Sequence, residues 1–193
     1  MTKNIIICGV GGQGSLLASR ILGYVAMAKD YDVKVSEVHG MAQRGGSVVT
    51  YVRYSTDSKV ASPVICKGEA DIMMCFEQLE AARMLPYIKK DGTLIVNTQK
   101  ILPMPVVMGV AEYPDNIIEK IKSLGINVIS CDAIEEAIKL GNEKCVNVIL
   151  IGMLARQSDF EKELFIEAIN NCVPEKHRAL NLNAFEVGYN FTI

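Results

Sequence analysis

Apolar runs and helical apolar stripes alternate along the first two thirds of the chain, and the alternation predicts most of its elements. Residues 5–8, Ile-Ile-Ile-Cys, form a continuous apolar run that stops at Gly9-Val10-Gly11-Gly12-Gln13-Gly14. A short run bounded by turn residues predicts a buried strand, here Lys3–Cys8. After the glycines, Leu16, Leu17, Ile21, Leu22, Val25 and Ala28 recur at helical spacing and predict a helix over 12–29. Val33–Val38 alternates apolar and polar residues, as expected of a strand with one face exposed or near a sheet edge. Ser47–Tyr54 is a β-branched and aromatic strand reached through a loop too short for a crossover helix, so antiparallel or mixed pairing is expected there.

Further along, Asp71–Phe76 reads as a fully apolar strand and Gln78–Ile88 as a helix. Asp91-Gly92 reads as a turn into a strand at Thr93–Asn97, and Pro103 and Pro105 mark a connection. A helix is predicted over Asp115–Leu124 with Gly125 as its C-terminal cap, then a strand at Asn127–Cys131 and a helix at Ala133–Leu140. Strands are expected to stop there. Val146–Ala155 is apolar on every side, as in a helix buried all round. Asp159 is placed to cap a helix over Phe160–Cys172, and Pro174 to start a last helix reaching Asn190. These elements predict a single domain, 1–193: a three-layer α/β/α Rossmann-like sandwich with a mostly parallel, mixed sheet and C-terminal helices.

The glycine turn is the first candidate for chemistry. Gly9, Gly11 and Gly14 fit the G-x-G-x-x-G spacing between a strand and a helix. Backbone amides at a helix N-terminus can face an anion there if no Cβ intervenes. A nucleotide, coenzyme A, or no ligand with glycines serving only close packing all remain open from this motif. A nicotinamide site would add an acidic residue near the end of the second strand. Glu37, 23 positions after Gly14, is passable for that role, but nothing downstream resembles a hydride-transfer site.

A second candidate is the string Ser36-Glu37-Val38-His39-Gly40-Met41-Ala42-Gln43-Arg44-Gly45-Gly46. Loops after the first two strands of a doubly wound sheet emerge together at the carboxyl edge, where ligands gather. Arg44 between flexible residues can offer a planar fork to a phosphate, a carboxylate or an acid on another chain. The plainer reading is a solvated loop with His39 bonded within its own turn. The remaining charges read as ordinary: Glu77 and Glu80 with Arg83, and Arg156 with Asp159 or Glu161, as helix-surface pairs, and Glu135-Glu136 as a first-turn acidic pair. His177 reads as a surface or capping residue. Neither histidine has a nucleophile beside it in sequence.

Composition narrows the classes. Half of the 193 residues are hydrophobic, 22% are charged and the formal net charge is −2. That suits a globular protein and argues against a nucleic-acid partner. No apolar run reaches membrane-spanning length, and the N-terminus reads as free of a secretory leader, so the cytoplasm is the expected site of action. The six cysteines are scattered without a C-x-x-C, which disfavours a zinc or iron–sulfur site and suggests small buried hydrophobes at Cys8, Cys75 and Cys131. Nine methionines fit core filling or an apolar subunit interface equally well.

Taken together, 9–14 and 36–46 resemble the gamma-type domain of the 2-oxoacid:ferredoxin oxidoreductases, most of all the small-subunit type that acts on indolepyruvate. The likeness extends over the length of the chain, including Asn181, Asn183, Ala184 and Gly188. It implies a part in oxidative decarboxylation of an aryl pyruvate with coenzyme A, giving an acyl-CoA, carbon dioxide and reduced ferredoxin. It places thiamine diphosphate, Mg and 4Fe-4S clusters on a large (alpha) partner subunit, so that this chain belongs to a hetero-oligomer, binds no cofactor alone and is silent alone. The lack of a Gly-Asp-Gly and of cluster cysteines agrees. By the resemblance, Gly9, Gly11, Gly12, Gly14, Glu37, Gly40, Met41, Arg44, Gly45 and Gly46 are the candidate cofactor-binding residues, with coenzyme A as co-substrate and no metal ligand. A free-standing NAD(P) or flavin oxidoreductase and a ligand-free scaffold subunit are the alternatives.

Overall fold

The computed structural model describes residues 1–40 and 45–192. Six strands form one sheet: β1 (Thr2–Val10), β2 (Asp32–His39), β3 (Ser47–Ser55), β4 (Ala70–Cys75), β5 (Ile88–Asn97) and β6 (Asn127–Cys131), in the order β2-β3-β1-β4-β5-β6. β1, β4, β5 and β6 are parallel, and β3 lies antiparallel between β1 and β2. The expected mixed pairing after the short loop is therefore present. Two antiparallel steps also bring β2 back to the direction of β1, so their carboxyl ends share one rim of the sheet.

Alternation along the strands sorts side chains into two cores. Ile5, Ile7, Met74 and Ile95 point into one, covered by α1 (Ser15–Ala28), α5 (Ala133–Lys139), α6 (Val146–Gln157), α7 (Lys162–Cys172) and α8 (Glu175–Tyr189). Ile6, Cys8, Met73, Cys75, Leu94 and Val96 point into the other, under α2 (Gln78–Met84) and α4 (Ile117–Ser123). Every residue of α6 from Val146 to Ala155 is buried, as its unbroken apolar run predicts. α6 and α8 touch at the backbone: a methyl group on Gly188 would fall 1.8 Å from the Ile149 carbonyl oxygen.

Several boundaries differ from the sequence reading for identifiable reasons. The helix starting at Gln78 stops at Met84, and Pro86 turns the next residues into a 3₁₀ turn, Leu85–Tyr87. Asp91-Gly92 is no turn but the irregular middle of β5, where the register with β4 shifts between Ala70 and Ile72. The connection after Pro103 contains a short helix, α3 (Met104–Val107). α4 begins at Ile117 after Asn116 takes a positive φ, while Gly125 closes it as expected, with φ +77°. Asp159 caps nothing: α7 begins at Lys162, because Phe160 is drawn into the aromatic cluster of Tyr31, Tyr54 and Phe165, and Asp159 pairs with Lys3 at 3.3 Å.

The charged pairs also need correction. Glu80 does bond Arg83 at 3.1 Å, but Glu77 and Glu80 are buried, not surface residues. Arg156 meets neither acid and donates to the Tyr189 carbonyl oxygen at 3.2 Å. Glu135 and Glu136 sit in the first turn of α5 and pair with Lys139, as expected. No helix among the described residues is long and apolar enough to cross a membrane.

Candidate functional site

The glycine turn is built around Gln13. Its side-chain oxygen accepts from the Val10 amide at 2.7 Å, and its amide nitrogen donates to the Phe76 carbonyl at 3.2 Å and to Gln99 Oε1 at 3.0 Å. One side chain thus ties the end of β1 to the ends of β4 and β5. Asn97 continues the lattice, donating to Phe76 O at 3.1 Å and accepting from the Ala133 amide at 3.1 Å. Nothing in the spacing of the sequence singled out these amides, although Gln13 lies inside the motif.

The candidate glycines divide by environment. Gly9 is buried, and a Cβ on it would come within 2.6 Å of Gln13 Oε1 and 3.0 Å of Phe76. Gly14 stands at the N-cap of α1 with φ +91°, pressed on Asn147 of α6, where a Cβ would meet Nδ2 at 2.4 Å. Gly12, with φ +102°, is exposed, and no atom of the described residues lies within 4 Å of a Cβ placed on it. The Gly11 amide donates to the Gly46 carbonyl at 2.9 Å, so the two glycine-bearing turns meet at one corner of the rim. Gly40 and Gly45 are exposed. Met41 and Arg44 lie outside the described residues.

Gly11, Gly12, Gly14, Ser15, Leu16, Glu37, His39 and Val48 line a cleft of about 360 Å³ at this corner. Among the described residues no side chain caps α1. The amides of Gly12, Gly14, Ser15 and Leu16 have no backbone partner among the described residues. Free first-turn amides and the helix dipole favour an anion. Glu37 opposes a bare anion: its Oε2 accepts from Ser15 Oγ at 3.0 Å and from Thr50 Oγ1 at 3.1 Å, which hold the carboxylate in the cleft. The arrangement suits a ligand that turns an anionic group toward α1 and a hydroxyl or N–H donor toward Glu37. His39 contributes no such pair and contacts its neighbour, Nδ1 lying 3.1 Å from Gly40 O.

The chain matches the pyruvate ferredoxin/flavodoxin oxidoreductase family over residues 4–191. It belongs to that family. Among curated members it is 42% identical over 192 residues to the indolepyruvate oxidoreductase subunit IorB of Thermococcus kodakarensis, covering 96% of this chain and 93% of that one. The IorB protein of Archaeoglobus fulgidus is 41% identical over 197 residues, covering 100% and 96%. Two solved members share the fold. One is the gamma subunit of a keto/oxoacid ferredoxin oxidoreductase from Geobacter sulfurreducens (TM-score 0.71, 22% identity, 97% of this chain and 96% of that one). The other is 2-oxoglutarate:ferredoxin oxidoreductase from Magnetococcus marinus (TM-score 0.75, 16% identity), where 99% of this chain covers 32% of a longer one.

Family membership makes this chain one subunit of a multi-subunit oxidoreductase. Among the described residues no group of three or more His, Cys, Asp or Glu side chains is placed to hold a metal ion. Of the thiols expected to be buried, Cys8, Cys75 and Cys131 all are. Cys8 and Cys75 face each other across β1 and β4 with their sulfurs 3.0 Å apart, and this hydrogen bond, followed by burial, pushes the Cys8 thiol well above its usual range.

Proposed function

We propose that this chain is the small subunit of an indolepyruvate-type 2-oxoacid:ferredoxin oxidoreductase, acting with a large subunit that holds thiamine diphosphate, Mg and iron–sulfur clusters. The reaction is the coenzyme A-dependent oxidative decarboxylation of an aryl 2-oxoacid to an acyl-CoA, with release of carbon dioxide and reduction of ferredoxin. Thiamine diphosphate supplies the carbanion chemistry and the clusters carry the electrons. This chain supplies a receptor surface and is inactive alone, and the assembly works in the cytoplasm.

The observation that carries this reading is the meeting of Gly11 and Gly46 at one corner of the rim, beside the open first turn of α1. Both motif segments of the resemblance converge there, in a chain 42% identical to an indolepyruvate oxidoreductase subunit. The cleft then takes a phosphate-bearing part of coenzyme A. First-turn amides face its anionic groups and Glu37 accepts from a hydroxyl, and Gly40, Met41, Arg44, Gly45 and Gly46 are the further binding residues of this reading. A free-standing nicotinamide enzyme is less well supported, since β3 lies antiparallel between β1 and β2 in the sheet.

The test is to co-express the chain with the large subunit, purify the complex, and assay indolepyruvate, phenylpyruvate and pyruvate with coenzyme A and ferredoxin. Activity should require both chains, and Arg44→Ala should raise the KM for coenzyme A or weaken assembly. Dye reduction by the isolated chain, a flavin spectrum, or tight NADH binding abolished by Gly11→Val would overturn the proposal.

A further inference from the structure

A second surface on the same rim has no part in the cleft. Leaving the carboxyl end of β5, residues 101–111 read Ile-Leu-Pro-Met-Pro-Val-Val-Met-Gly-Val-Ala, without one charge. Leu102, Met104, Val107, Met108 and Val110 are each between 53% and 74% exposed. Isolated apolar side chains on a surface need no explanation, but five within nine residues form a patch of the kind that marks an interaction site.

This segment is also built to stay where it is. The Met108 amide donates to Met104 O at 2.9 Å and the Val110 amide to Pro105 O at 3.0 Å, which fold it into a compact knob around α3. Both of its ends are tied to one oxygen of a buried carboxylate: Glu77 Oε1 accepts from the Ile101 amide at 3.3 Å and from the Tyr113 hydroxyl. The other oxygen, Oε2, caps α2 by accepting from the Glu80 amide at 2.9 Å. A structural carboxylate thus holds an apolar knob out in solvent.

We propose that this knob, centred on Met104 and Met108, docks into an uncharged apolar recess on the large subunit. The inference rests on the heteromeric reading above and adds to it the surface that makes the assembly. A second copy of this chain is the weaker occupant. Two knobs meeting about a two-fold axis would bury only a few hundred Å² on each side, against about 800 Å² per partner in a stable interface. The apolar groove this chain offers, lined by Leu16, Tyr24, Met27 and Val35, lies at the far edge of the sheet beside β2. A knob seated in that groove makes a head-to-tail contact, which grows into a ring or filament unless a two-fold axis seats both knobs at once. A larger partner spanning the rim can cover knob and cleft corner together. Unbranched methionines suit such a recess because they adapt to irregular apolar walls.

The experiment is co-purification of the chain with its large subunit, with the dissociation constant measured for wild type, Met104→Glu/Met108→Glu and Leu124→Glu. Leu124 is an equally exposed apolar residue at the opposite end of the sheet. The double variant should weaken association at least tenfold while the isolated chain keeps its melting temperature, and Leu124→Glu should bind as wild type does. If the double variant melts early, Val110→Lys replaces it with the same two outcomes. Binding of the knob variant within twofold of wild type, equal weakening by Leu124→Glu, or knob-dependent self-association of the isolated chain would overturn the inference while leaving the heteromeric reading intact. A wild-type chain that fails to bind the large subunit at all would end both.

Discussion

The two corners of the carboxyl rim solve opposite problems with different materials. At the β1–β2 corner the backbone does the work: glycines, first-turn amides and one exposed carboxylate surround an open cleft, and Gln13 braces it from behind. At the β4–β5 corner a buried side chain does the work: Glu77 caps α2 and pins both ends of a protruding apolar segment. A corner left with open amides is suited to receive a small anionic ligand, whereas a corner whose buried carboxylate is bonded on both oxygens and whose apolar residues are pushed outward is suited to meet a protein. The difference separates ligand recognition from assembly within a single edge of one sheet.

Removing the Glu77 carboxylate should have the largest effect. Glu77→Ala deletes the α2 cap and leaves the Ile101 amide and Tyr113 hydroxyl without their shared acceptor, for a loss of about 2–4 kcal/mol in urea unfolding. Burial and the Glu77 hydrogen bond both raise the Tyr113 phenol above its usual range, so its hydroxyl stays a donor throughout the neutral range. Glu77→Gln keeps an acceptor and should recover more than half of the loss. Binding of the large subunit should suffer in Glu77→Ala even at temperatures where the chain is folded. Wild-type stability in Glu77→Ala would erase the contrast between the corners.

The glycine corner should respond more weakly and in two grades. Gly14→Ala places a β-carbon at φ +91° and against the Asn147 amide, so a loss of about 1–3 kcal/mol is expected. Gly12→Ala meets no atom of the described residues within 4 Å of the added methyl, so backbone strain dominates and about 1 kcal/mol should be lost. If Gly12 faces ligand, its substitution should raise the KM for coenzyme A in the assembled enzyme by more than Gly14→Ala does relative to its effect on stability. Equal effects on KM and melting temperature in both variants would make the glycines structural only.

The cleft corner was legible in the sequence because its signals are local. Gly9, Gly11 and Gly14 report a strand–turn–helix, and the short loop before Ser47 reports an antiparallel step. Together these place Glu37 beside α1, where its bond to Ser15 puts it. The knob corner was not legible, because its logic joins residues far apart. Glu77 reads as a helix-surface acid until Tyr113, 36 positions away, is seen to bond it. Asp159 misled for a related reason: its position suits a cap, but burial of Phe160 among Tyr31, Tyr54 and Phe165 outweighs the cap and delays the helix. The methionines show the same limit. Met73 and Met74 fill the core while Met104 and Met108 face outward, and composition alone could not divide them.

The smallest expected effect lies beneath both corners, in the thiols of the strands. Cys8 directly precedes Gly9 in β1 and Cys75 ends β4, so their contact underlies the cleft on one side and Glu77 on the other. The Cys8 thiol is raised by its hydrogen bond to Cys75 and by burial, and burial together with nearby carboxylates pushes Cys131 up to about 12. Near pH 10 the unfolded chain has lost the protons that the folded chain keeps on these sulfurs. The folded state then binds more protons than the unfolded one, so stability is complete below the ordinary thiol range and declines as pH rises above about 9. Urea midpoints measured at pH 8, 9 and 10 should fall progressively, and Cys131→Ala should flatten the fall while lowering the starting value. A midpoint that holds constant to pH 10 would mean that the sulfurs beneath the rim ionise as freely in the folded protein as in the unfolded chain, and that the two corners do not rest on a dry floor.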